Sequence, residues 1–196
     1  MSKKILWTII LVAVAGIIAV WMVGKYNAIV VEQENVETAW SQVENQYQRR
    51  MDLIPNLVNT VKGYAKHEES TYTGVMEARA KATQVTVDAA DLTEEQITAF
   101  SQAQGELSQA LGRLMAVAEA YPELKADKQF LNLQEQLEGT ENRITVARNT
   151  FNETARVYNT FIRQFPNNIV AGLFGFKKRP YFEAEAGAEK APKVEF

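Results

Sequence analysis

An all-α fold is predicted for this chain: one N-terminal transmembrane helix followed by an elongated antiparallel up-and-down helical bundle. Three observations carry that expectation. Residues Ile5 to Val23 run without a charge. Beyond them apolar residues recur every three or four positions, and glycine and proline are scarce through the middle of the chain. No stretch of comparable length alternates with the period of two that a half-buried strand requires.

The apolar run comes first. About 20 residues at 1.5 Å of rise each cross the roughly 30 Å hydrocarbon core of a bilayer. A helix satisfies its own backbone polar groups there, and Trp7, Trp21 and Tyr26 lie near the ends, where amphipathic rings settle. Two other readings compete. Ala13-Val14-Ala15 offers a signal-peptide cleavage site, although further apolar and small residues follow it and make the apolar stretch too long for an ordinary signal core. A buried core helix would rarely be so uniform. A retained anchor at 5–24 is therefore expected, after a short tail at 1–4. Lys3 and Lys4 precede the run, whereas Lys25 is the only Lys or Arg between Val23 and Gln48. By the positive-inside rule the tail stays in the cytoplasm and the bulk domain is extracytoplasmic, with the cytoplasmic face as the other option. The absence of cysteine fits either side.

About 170 residues remain, enough for one domain with its own core. On the first soluble helix Val36, Trp40, Val43, Tyr47, Met51, Ile54, Val58 and Val61 keep to one face. Ile97, Phe100, Leu107, Leu111 and Leu114 do so on a later one, with Gln104 filling one turn. Phe130, Leu133, Leu137, Ile144, Phe151, Tyr158 and Phe161 form the last stripe, polar for one turn between Leu137 and Ile144. Gly63 loosens the end of the first soluble helix, Asp91 with Glu94 reads as a capping box, Pro122 suits a first helical turn, and Pro166-Asn167-Asn168 stops the last helix. Helices are thus expected near 26–63, 65–89, 92–120 and 123–165, a bundle domain spanning 25–166. Pro55 lies inside the first of them; it removes a backbone donor and crowds the preceding turn, so a bend or break near Met51–Pro55 is expected.

The first and last soluble helices, about 60 Å long, outreach the middle two at about 40 Å. That predicts a distal four-helix bundle on a proximal two-helix stalk. Two helices cannot bury Val30, Val36, Trp40, Tyr47, Phe151, Tyr158 and Phe161, so this seam is expected to be a partner surface and the chain a homo-oligomer. The last helix returns toward the membrane. Phe174, Phe176, Lys177, Lys178, Arg179, Tyr181 and Phe182 would then lie at the lipid headgroups, in a return segment and tail covering 167–196; the alternative is that Gly172 to Phe182 packs back on the bundle. Residues 183–192, rich in Ala and Glu, are expected to be a solvated tail.

Arg49, Arg50, Asp52 and Asn56 surround the proline. They form either an inward polar network that fixes helix register or a recognition patch.

Several runs now carry a resemblance. Tyr26-Asn27, Ala39-Trp40-Ser41-Gln42, Arg49-Arg50-Met51-Asp52-Leu53-Ile54-Pro55-Asn56-Leu57-Val58 and Val61-Lys62-Gly63-Tyr64-Ala65-Lys66-His67-Glu68 resemble the signature of the LemA family. Phe165-Pro166, Phe174-Gly175-Phe176 and Arg179-Pro180-Tyr181-Phe182 resemble that family's carboxyl end. The resemblance implies a bacterial inner-membrane protein with a helical-bundle domain. It also points to HtpX-type membrane proteases or TPM-domain proteins as partners.

Composition narrows the chemistry. There are 24 acidic and 21 basic residues, so no basic excess advertises nucleic acid. One histidine, His67, and no cysteine leave neither a multi-histidine zinc site nor a thiol nucleophile within one chain. Glu-x-x-His, the di-iron bundle motif, is missing because Tyr64 stands three residues before His67, and no glycine-rich phosphate loop occurs. No enzyme activity and no cofactor are expected. The preferred reading is a non-catalytic membrane-anchored scaffold or adaptor. The alternative is a membrane-shaping or lipid-binding protein acting through the C-terminal aromatic and basic segment.

Overall fold

A computed structural model describes residues 2–183. Six α-helices, and no strand, occur among the described residues: α1 (Lys3–Tyr64), α2 (Glu69–Gln84), α3 (Glu94–Glu119), α4 (Pro122–Lys125), α5 (Lys128–Arg163) and α6 (Asn167–Phe174), with a 3-10 turn at Ala89–Asp91 before α3. The fold is all-α, as the periodicity predicts.

Helix α1 joins the apolar run and the first bundle helix into a single rod of 62 residues, about 93 Å long. Its most apolar stretch is left uncovered by the other described residues. The break expected near Pro55 does not occur. Pro55 cannot donate to the carbonyl of Met51, and Arg79 Nε of α2 donates to that oxygen instead, at 2.9 Å. Thr83 Oγ1 adds a contact to Met51 Sδ at 3.2 Å. The vacancy left by proline is thus where α2 docks.

Other boundaries move for local reasons. Val85-Thr86-Val87, three β-branched residues in succession, end α2 at Gln84 rather than 89. Asp88 accepts from Ala90 N at 2.9 Å and opens the 3-10 turn that holds Asp91. The capping box therefore forms two residues later than expected: Thr93 Oγ1 accepts from Gln96 N and Gln96 Oε1 from Thr93 N. Asp127 caps α5 through Gln129 N and Phe130 N, both at 2.9 Å, which separates α4 from α5.

Helices α1 and α5 run antiparallel over most of their soluble length. Tyr64 meets Asp127 at the tip, Arg50 meets Glu141 midway, and Trp40 meets Phe151 lower down. Helix α3 runs parallel to α1, with Phe100 against Trp40 and Tyr47 and Gln104 against Arg50. The up-down-up-down order follows.

The exposed two-helix seam is not what forms. Val36, Trp40, Tyr47, Phe151 and Tyr158 are buried within the chain, and Val30 and Phe161 are half-buried. Helix α3 already starts at the height of Trp40, and the segment after α6 folds back to close the remaining side. Phe182 stacks on Trp40 at 5.7 Å and 14°, and sits edge-on to Phe151.

Candidate functional site

Three features outside the plain apolar core can carry function: a buried arginine, a clamp on the C-terminal segment, and a collar where the bundle meets the apolar run.

Arg50 is 1 % exposed. Its Nη1 donates to Ser108 Oγ at 2.9 Å and to Glu141 Oε1 at 3.0 Å, and its Nη2 donates to the Gln104 carbonyl at 3.2 Å and to Gln104 Oε1. The guanidinium also lies 5.0 Å from the centre of the Tyr47 ring. One side chain thereby ties α1, α3 and α5 together at one height. Arg50 Nε and Gln104 Nε2 have no hydrogen-bond partner among the described residues, so the node is tight but not saturated. The four residues expected to act together do not: Arg49, Asp52 and Asn56 are exposed, because successive residues on a helix point about 100° apart. Asp52 accepts from Gln48 on its own helix at 2.8 Å. Sequence reasoning missed Gln104, Ser108 and Glu141 as partners, although Gln104 and the polar turn before Ile144 were the visible interruptions in two apolar stripes.

The clamp is built from two asparagines of α5. Asn159 donates to the Arg179 carbonyl and accepts from the Arg179 amide, both at 2.8 Å. Asn152 does the same to Phe182, at 2.9 and 2.8 Å. Seven helical residues rise about 10.5 Å, and three extended residues cover about 10 Å, so the two spacings match. Arg148 Nη2 donates to the Glu183 carbonyl at 3.0 Å, and its guanidinium lies over the Phe182 ring. Arg179 points inward; Nη2 donates to the Ala90 carbonyl at 2.7 Å and lies 3.6 Å from Glu37. Burial pushes the neighbouring Tyr158 phenol up, an effect the Arg179 charge partly offsets.

This clamp corrects part of the expected headgroup segment. Arg179 and Phe182 are buried in the bundle rather than at the lipid surface, because the backbone around them is taken by Asn159 and Asn152 and the Phe182 ring by Trp40. Tyr181 is partly exposed, and its hydroxyl accepts from Asn159. Phe176 is half-buried against the core and Tyr26, whereas Lys177 and Lys178 are exposed and Phe174 is half uncovered. Beyond Glu183 the expected solvated tail lies outside the described residues.

The collar is the third feature. Tyr26 packs against Phe174 at 4.9 Å and Phe176 at 5.5 Å, so α6 and the turn after it sit beside the top of the apolar run. Gly175 ends α6 with φ of 77°, a conformation that L side chains rarely adopt, and returns the chain toward the bundle. Phe165, Ile169 and Leu173 are exposed, Phe165 at 81 %.

At the opposite end Tyr64 Oη donates to Asp127 Oδ2 at 2.9 Å. The Phe130 amide, then Tyr64, hold the Asp127 carboxyl below its usual range, and the same bond raises the Tyr64 phenol. Among the described residues no three His, Cys, Asp or Glu side chains converge as metal ligands would.

The comparisons with known proteins fit this picture. The model of the LemA family matches residues 39–196. The magnetosome protein MamQ of Magnetospirillum gryphiswaldense is 30% identical, over 83% of this chain and 66% of its own length. Magnetosome protein MamQ 2 of Paramagnetospirillum magneticum is 28% identical, over 84% of this chain and 67% of its own. Protein LemA of Metamycoplasma hominis is 24% identical, over 93% of this chain and 80% of its own. The chain thus spans about two thirds of the magnetosome relatives it matches.

Proposed function

The chain belongs to the LemA family, and from that membership and the architecture above we propose that it is a non-catalytic, membrane-anchored scaffold or adaptor that organises membrane or envelope proteins. The observation that carries this reading is α1 itself. One unbroken helix holds an uncovered apolar run at one end and, at the other, the face around which the bundle packs. A bundle so attached presents its surfaces at a fixed height above a bilayer.

In this reading the anchor spans the inner membrane once, with the bundle on the extracytoplasmic side, as the basic flanks favour. Self-association cannot use the seam through Trp40 and Phe151, which is interior. It falls instead to the surfaces left outside, such as α5 around Val146 and Val157. The family resemblance supports an HtpX-type protease or a TPM-domain protein as partner, and the likeness to magnetosome proteins supports a role at a specialised membrane.

The test is mass measurement of the full-length chain extracted from native membranes into lipid discs, followed by identification of the companions. Discrete complexes of fixed stoichiometry are the expected outcome; a solitary chain under all extraction conditions would sink the scaffold reading.

A second reading, a membrane-shaping protein, is favoured by the exposed Phe174 beside Lys177 and Lys178. Vesicle deformation that disappears when those three are replaced would support it. Arg179 is best left intact in that experiment, because it holds the fold together.

A further inference from the structure

We propose that α6 is a second membrane contact: a short helix lying in the headgroup layer of the same bilayer that α1 crosses, attracted by anionic phospholipid. The inference rests on α1 spanning a membrane and goes beyond it, since two points of contact fix the tilt and rotation of the bundle, which one span leaves free.

Height is the first argument. Val23 ends the apolar run, and Tyr26 is three residues further, about 4.5 Å along the helix. The polar layer on each side of the hydrocarbon core is about 5 to 8 Å deep. Tyr26 touches Phe174 and Phe176, so the end of α6 is held within that layer. Met22, inside the apolar run, also packs against the buried core.

The faces of α6 are the second argument. Asn167, Val170 and Ala171 are buried against the bundle. Ile169 and Leu173, one turn apart, are exposed on the other side, with Phe165 just before the helix. Three large apolar side chains turned away from the protein beside a bilayer face lipid at little cost and water at a high one.

Charge is the third. Every Asp and Glu of the chain lies within residues 32–153 or 183–196. The segment 154–182 and the first 31 residues therefore contain only basic charges. Of these, Lys25, Arg163, Lys177 and Lys178 border α6 in sequence or through Tyr26. Among the described residues the carboxylates of α1 begin only at Glu32 and none lies between 154 and 182, an arrangement suited to a negative surface.

The native chain lacks cysteine, which makes the test direct. Ile169→Cys and Leu173→Cys, each labelled with an environment-sensitive fluorophore, are placed as full-length protein in vesicles of phosphatidylcholine with phosphatidylglycerol. Val14→Cys within the run and Val146→Cys on exposed α5 serve as references. Nitroxide lipids labelled near the headgroup should quench most emission at 169 and 173 and none at 146. In vesicles of phosphatidylcholine alone, that quenching should fall while a deep nitroxide still quenches the label at 14.

Labels at 169 and 173 that behave like the one at 146, while 14 is quenched, overturn the second contact and leave the anchor standing. Silence at 14 as well overturns the spanning reading and this inference together. Equal quenching with and without phosphatidylglycerol overturns the part assigned to charge. Disulfide formation between chains by unlabelled Leu173→Cys protein, with no quenching of the labelled sample, assigns the face to a second copy instead.

Discussion

Arg50 shows how much one side chain can determine in a bundle. Its donors reach two other helices, and a partly solvated Glu141 balances its charge, so the pair avoids the full cost of burying two ions. Arg50→Ala removes the node and leaves a cavity, and should destabilise the bundle by about 3 kcal/mol. Arg50→Met keeps the volume and should cost about 1 to 2 kcal/mol, the penalty of leaving the buried Gln104 amide unpaired. Urea unfolding in micelles, followed by helical circular dichroism, measures both; equal midpoints for all three proteins would show that the node adds nothing. The arginine was legible as a polar residue near a proline, but its role was not. Residues 49, 50, 52 and 56 are neighbours in sequence and diverge in space, whereas Gln104 and Glu141 are distant in sequence and converge. One chain read by periodicity shows which turns are polar, not which polar turns share a height.

Helices reveal a different pattern of success. The apolar stripes revealed three of the four long bundle helices because a 3.6-residue period survives any detail of packing, whereas α2 followed only from the boundaries around it. Ends were less readable, since competing caps lie within a few residues: Thr93 with Gln96 satisfies the same pattern as Asp91 with Glu94, and Asp88 decides between them by opening a 3-10 turn. Pro55 misled for a tertiary reason, the Arg79 guanidinium that takes the freed Met51 carbonyl. A double-mutant cycle isolates that compensation. Arg79→Met should cost about 1 to 2 kcal/mol in the native chain, where a charged donor is lost. With Pro55→Ala the restored amide serves Met51, and the same change should cost about 1 kcal/mol less. Strictly additive losses would mean that the two residues act independently.

At the level of the whole molecule, the C-terminal segment decides whether the bundle is complete. Helix lengths predicted a two-helix stalk, and the alternative in which Gly172 to Phe182 packs back on the bundle is what covers it, a choice that the helical pattern does not make. Removing residues 176–196 should uncover Trp40 and produce the sticky seam that the intact chain hides. In a Trp7→Phe, Trp21→Phe background, Trp40 emission should shift to the red and the particle mass should rise by self-association. Unchanged emission and mass would show that Phe182 is dispensable. The manner in which that segment is held carries a consequence of its own. Asn152 and Asn159 grip main-chain atoms, so they act as two teeth of a vernier, with marks seven apart on the helix and three apart on the irregular segment beside it. Its main-chain bonds fix the register whatever side chain is carried, and they do not tolerate one residue gained or lost between the marks.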